Sequence, residues 1–227
     1  MKKIITLVFL ATCIVKTTTA QDSSDNELKR FELGFRVMPT FSNFKLHTNT
    51  SGSINSEVTL GYGFGVNLAF NMTKQFGIQT GVIYNAYSQK YKDQNFDRQI
   101  DVNYVNIPLL FSINTDKSRI VNFNVVLGPE LGINVGSTIK TGSSAPTDTL
   151  KSIFTIKKND LGLAYGAGLE FILNKSRCLR LDIGFRGIYG FTNVSNTSQP
   201  IETNSYYVID KANIRSNSIY AGLTFLF

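Results

Sequence analysis

Eight stretches of this chain set bulky apolar residues at every second position, with small or polar residues between them. A period of two belongs to a β-strand whose two faces meet different surroundings; nowhere does the 3.6-residue period of an amphipathic helix persist. The first stretch places Phe31, Leu33, Phe35, Val37 and Phe41 against Glu32, Gly34, Arg36 and Thr40. The second places Val58, Leu60, Tyr62, Phe64, Val66, Leu68 and Phe70 against Gly61, Gly63, Gly65, Asn67 and Ala69. Further stretches run through Phe76–Tyr84, Val105–Ile113, Val121–Val135, Leu161–Leu173, Leu179–Phe185 and Ile219–Phe227. The expected fold class is therefore all-β.

The connections narrow this to one architecture. Three are short and polar, at 71–75, 114–118 and 174–177, and four are longer, at 42–56, 88–100, 136–158 and 192–212. Long and short alternate along the chain, which is the asymmetry of a meander with tight turns on one side of a membrane and long loops on the other. The second face is rich in Gly, Ala, Asn and Ser, whereas a soluble sheet normally exposes Thr, Lys, Glu and Arg there. A small-residue face suits a narrow interior, and the apolar face then meets lipid. Closure removes the unpaired edges that hydrocarbon does not tolerate. The expectation is an eight-stranded antiparallel up-and-down transmembrane β-barrel in the bacterial outer membrane.

Residues 1–20 read as a signal peptide. Lys2 and Lys3 precede the apolar run Ile4–Val15, and Thr18-Thr19-Ala20 supplies a small-residue cleavage site. The run is too short for a transmembrane helix, which needs roughly 20 apolar residues. Leu10-Ala11-Thr12-Cys13 offers a competing lipid-attachment site at Cys13. Removing Lys2, Lys3 and Lys16 with the leader takes the formal net charge from +7 to +4. That modest, scattered excess suits anionic lipid headgroups and provides no basic block for nucleic acid. Residues 21–29 read as a flexible lead-in and 30–227 as the barrel domain. Cys178 is expected to be an apolar filler near a strand start. The closing Phe225-Leu226-Phe227 reads as the signal by which barrel assembly machinery recognises its substrates, carried by Phe225 and Phe227.

The segments Tyr104-Val105-Asn106-Ile107-Pro108-Leu109-Leu110-Phe111 and Leu127-Gly128-Pro129-Glu130-Leu131-Gly132 resemble the PorT-type outer-membrane β-barrel domain of Bacteroidetes. The resemblance spans most of 30–227 and implies fold and location; some members of that family assist a secretion machinery. Pro108 and Pro129 each withhold a ladder donor, which is best tolerated at a bulge.

By phase, Glu32, Arg36, Glu130, Glu170, Arg180, Asp182 and Arg186 point into the lumen. One use for four acids and three arginines is a selectivity ring in a narrow pore. The other is a salt-bridged plug, which the side-chain-filled interior of an eight-stranded barrel favours. His47, beside Ser51 and Ser53 in the first long connection, is the sole candidate for a catalytic base, and no spacing motif supports it. No catalytic residue, metal ligand or cofactor site is predicted. Lys140, Lys151, Lys157 and Lys158 make the third long connection basic, suited to lipopolysaccharide phosphates. Tyr87, Tyr91, Phe96, Tyr206 and Tyr207 are read as loop aromatics that form an interfacial girdle or bind a surface partner. Expected partners are outer-membrane lipid and lipopolysaccharide, the assembly machinery, and a protein at the surface or in a secretion assembly.

Overall fold

In a computed structural model, the structure describes residues 28–47, 55–57, 59–93, 96–141, 151–153, 157–192, 205–207 and 211–227. The signal-peptide stretch, Cys13, Ser51 and Ser53 lie outside these residues, as does the side chain of His47. Eight long strands form the wall. They are β1 (Phe31–His47), β2 (Thr59–Asn71), β3 (Phe76–Asp93), β4 (Phe96–Asn114), β5 (Val121–Thr141), β6 (Asn159–Ile172), β7 (Leu179–Gly190) and β8 (Lys211–Leu226).

Each strand pairs antiparallel with its neighbours in sequence, and β1 pairs with β8 to close the ring. Phe31 and Phe227 exchange backbone hydrogen bonds across that seam, at 3.3 and 2.8 Å. The short segment Asn55–Glu57 continues the pairing along β3, and Lys151–Ile153 pairs parallel with Ser205–Tyr207. The registers measure the stagger of the closed sheet. From Val37, one path runs through Phe64 and Tyr84 to Val105 of β4. The other runs through Ala221, Ile183 and Leu169 to Phe123, whose carbonyl accepts from Thr115. The strand is met ten residues apart, as the tilt of a closed eight-stranded barrel requires.

The two faces separate as the alternation demands. Phe35, Val37, Leu60, Phe64, Leu109, Leu127, Leu161 and Ile219 face outward and are about half exposed, whereas Asn67, Gln79, Asn106, Ser112, Asn122 and Asn124 are buried within the ring. Two apolar clusters share the interior with these polar groups: Leu110, Val126, Ala164 and Ile188, and Met38, Ile83 and Tyr220. Glycine lets the larger side chains lie flat against the wall. A Cβ at Gly222 would collide with the Phe35 carbonyl and the Arg36 side chain. On the outer face Tyr165 lies over Gly187, covering the backbone that glycine leaves bare.

Four sequence expectations are corrected. Much of the long connections at 42–56, 88–100 and 136–158 is strand: β1 runs to His47, β3 and β4 stay paired to Asp93 and Phe96, and β5 continues to Thr141. The apolar period fades there while the backbone ladder continues, because pairing does not require an apolar face. Tyr87 is no loop aromatic; it is buried inside the ring, 6.1 Å between centroids from Tyr104. The sequence places Pro108 and Pro129 at bulges, but the register runs on unchanged past both, and the register shift lies at Asn103/Tyr104. Each proline interrupts pairing with one neighbour only, and Thr80 Oγ1 donates to the Pro108 carbonyl at 2.8 Å. Cys178 is no apolar filler: it is half-buried, and Lys29 Nζ donates to its Sγ at 2.7 Å. That hydrogen bond from Lys29 holds the thiol below its ordinary pKa.

Candidate functional site

The short connections decide what fills the lower lumen. In the turn at 115–120, Ser118 N and Oγ both donate to Asp116 Oδ1, at 2.8 and 2.6 Å, and Asp116 N donates to Asn122 Oδ1 at 3.1 Å. The Ser118 hydroxyl and amide hold the Asp116 carboxyl below its ordinary pKa. Arg177 Nη1 donates to the Ser118 carbonyl at 2.9 Å, tying this turn to the one at 173–178. Fixed in this way, the turn directs Lys117 up into the ring, where it is 3% exposed.

Lys117 Nζ lies 2.9 Å from Glu32 Oε1 and donates to both oxygens of Glu170, at 2.8 and 2.9 Å. Arg180 Nη1 donates to Glu170 Oε2 at 2.7 Å, and its Nη2 donates to the Lys117 carbonyl. Amides complete the shell: Asn71 donates to Glu32 at 2.7 Å, and Asn124 and Asn122 donate to Glu170 at 2.7 and 3.2 Å. Burial alone would lower the Lys117 pKa, but the Glu170 and Glu32 carboxylates outweigh it and hold it above the ordinary lysine value.

Higher in the ring, Arg36 Nε donates to Asp182 Oδ2 at 2.9 Å, and its guanidinium lies 4.6 Å over the Tyr220 ring. Above that again, Arg186 pairs with Glu130, which also accepts from Asn106 at 2.6 Å; Asn106 in turn accepts from Asn85 at 3.0 Å. All seven residues singled out by phase (Glu32, Arg36, Glu130, Glu170, Arg180, Asp182 and Arg186) are thus buried on the inner face, in three paired tiers. Phe225 and Phe227 lie on the outer face at the seam, with Leu226 turned inward between them.

Sequence reasoning missed two members. Lys117 reads as part of a solvated turn, although four acids against three arginines already leave one positive charge wanting. Asp160, 7% exposed on the inner face at the start of β6, falls just before the alternating run that begins at Leu161.

The structure is similar to that of the outer membrane protein OprG from Pseudomonas aeruginosa, with 12% identity over 90% of this chain and 99% of that one, at a TM-score of 0.55. A weaker likeness joins it to Neisserial surface protein A, with 16% identity over 87% of this chain and 97% of that one, at a TM-score of 0.43. At these identities the likeness to OprG is one of fold. No curated protein matches the sequence. A family model described as outer membrane protein beta-barrel domain matches residues 19–196. Lipid-facing apolar wall, closed eight-stranded ring and family agree, and the chain belongs to the outer membrane protein beta-barrel domain family, residing in the bacterial outer membrane.

Proposed function

We propose that this protein is a non-conducting, non-enzymatic barrel whose plugged lumen makes it a rigid mount for docking a protein partner at the cell surface or in a secretion assembly. The observation that carries the proposal is the stack of ion pairs across the lumen. Four carboxylates (Glu32, Glu130, Glu170, Asp182) meet four cations (Arg36, Lys117, Arg180, Arg186) with side chains at most 8% exposed. A hydrated ion crossing the barrel has to break these pairs, and breaking one partner from a buried pair costs about 3–5 kcal/mol. The PorT-type resemblance of Tyr104–Phe111 and Leu127–Gly132 supports the secretion-linked form of the reading. Phe225 and Phe227, side by side on the lipid face, are proposed as the contact for the assembly machinery.

Planar-bilayer recording tests the lumen. The purified chain is expected to give no unitary current, and sustained unitary steps overturn the reading. A specific observation favours the rival, a narrow ion channel: the inward atoms Asn67 Oδ1, Gln79 Oε1, Asn124 Oδ1 and Asp182 Oδ1 are buried and find no partner among the described residues. The same recording separates the two. Crosslinking in the native outer membrane, followed by mass spectrometry, tests the docking role; a chain that crosslinks to no protein refutes it.

A further inference from the structure

The outer wall is apolar along the lower part of the strands, and on β8 it turns polar above Ile219. Its odd-numbered side chains face lipid: Phe225, Leu223, Ala221 and Ile219 rise from the turn side, and Asn217, Arg215 and Asn213 follow. Each neighbour sets one aromatic beside this stretch, although Asn43 of β1 is paired with Arg215 and Gly187 of β7 with Asn217. Phe41 of β1 is paired with Asn217, and Tyr189 of β7 is paired with Arg215. The result is a polar notch set between aromatic flanks. Its position along the strand is informative, because Arg215 stands eleven residues from Leu226. A tilted strand crosses the hydrocarbon in roughly 9–11 residues. The notch therefore lies at the boundary of the outer leaflet, on the side of the long connections.

Within the notch the donors are held but not used up. Arg215 Nη2 donates to the Tyr189 hydroxyl at 2.6 Å, and its guanidinium lies 4.2 Å over that ring. The ring fixes the fork flat against the wall. Arg215 Nε is shielded from water and has no acceptor, and no carboxylate faces the guanidinium among the described residues. Asn217 Oδ1 accepts from the Tyr165 hydroxyl at 3.5 Å, and its amide has no acceptor among the described residues on this exposed side chain. Asn213, in contrast, gives its amide to the carbonyls of Gly190, Phe191 and Thr192, at 3.3, 3.3 and 3.2 Å.

We infer that this notch holds the phosphate of an anionic lipid headgroup in the outer leaflet. Arg215 supplies the positive fork and Asn217 a second donor about 7 Å along the strand. The planar guanidinium matches phosphate oxygens in pairs, and a low-dielectric surrounding strengthens each bond. Below the notch Ile219 presents an apolar surface, 57% exposed, to the acyl chains. Nothing in this inference depends on whether the lumen conducts.

Lipid retention in nanodiscs tests it. The full chain is reconstituted in phosphatidylcholine containing lipid A or dephosphorylated lipid A, and bound lipid is counted by native mass spectrometry. Wild type is expected to hold lipid A at least about tenfold more tightly than the Arg215→Gln/Asn217→Leu variant, and than it holds the dephosphorylated form. Equal retention in either comparison overturns the inference. Because the dephosphorylated arm uses wild-type protein, a variant that fails to fold does not rescue it. Millimolar inorganic phosphate is expected to leave bound lipid A in place; displacement by phosphate alone makes this a soluble-anion site and overturns the lipid assignment.

Discussion

At the scale of single residues, Lys117 matters most, because one ammonium group serves two buried carboxylates. Replacing it with Met leaves Glu32 and Glu170 facing each other with only Arg180 and amides to compensate. The Lys117→Met variant is expected to lose about 3–5 kcal/mol, measured by urea unfolding in detergent micelles. Its pH dependence has a definite sign. The folded Lys117 pKa lies above the unfolded value of about 10.4, so its contribution is complete below that pH. It is lost only as pH rises through the higher folded value. Wild type should therefore show an alkaline loss of stability that the Met variant lacks, and parallel curves would contradict this. Tyr165 works on the opposite face. Removing its ring with Tyr165→Ala bares Gly187 and should cost about 1 kcal/mol, read in the same assay.

At the scale of elements, the long hairpin of β3 and β4 provides the test. The pairs Tyr91↔Arg98 and Asp93↔Phe96 continue the ladder well past the apolar belt. Backbone amides in 90–93 and 96–99 that donate across this ladder should exchange slowly with deuterated solvent in micelles; free exchange throughout both stretches would contradict the pairing. The same hairpin shows what the sequence makes legible. Alternation marks each strand where one face meets lipid, so β2, β6 and the lower part of β8 can be read almost residue by residue. Above the belt no face is rewarded for being apolar, and the period vanishes although the hydrogen bonds do not. The site divides similarly. Phase alone assigns Glu32, Arg36, Glu130, Glu170, Arg180, Asp182 and Arg186 to the inside, since each sits on a strand with a clear period. Lys117 sits on a turn and has no phase, and what directs it inward is the Asp116–Ser118–Asn122 bonding that spacing alone does not reveal.

At the scale of the whole molecule, the tiers should behave as independent struts. Among the described residues Arg36–Asp182 and Arg186–Glu130 share no hydrogen-bond or ion-pair partner, so damage to one is expected to leave the other intact. Arg186→Met alone strands a buried carboxylate and should cost about 3–5 kcal/mol, whereas Arg186→Met with Glu130→Leu should recover most of that loss. A double variant no more stable than the single one would show that the upper pair does more than neutralise itself.

The strands are also unequal in length, with 18, 19 and 21 residues in β3, β4 and β5 against 12 in β7. All the short turns share one rim, so the surplus stands at the other, and the wall slopes like a parapet. Among the described residues, the hairpin of β3 and β4 carries the wall on to Asp93 and Phe96. A visitor arriving sideways, within the plane of the bilayer, finds the shortest of the eight long strands ending at Gly190, beside Tyr189 and its partner Arg215. The described wall thus presents two approaches of different height, the lower of them level with the lipids themselves.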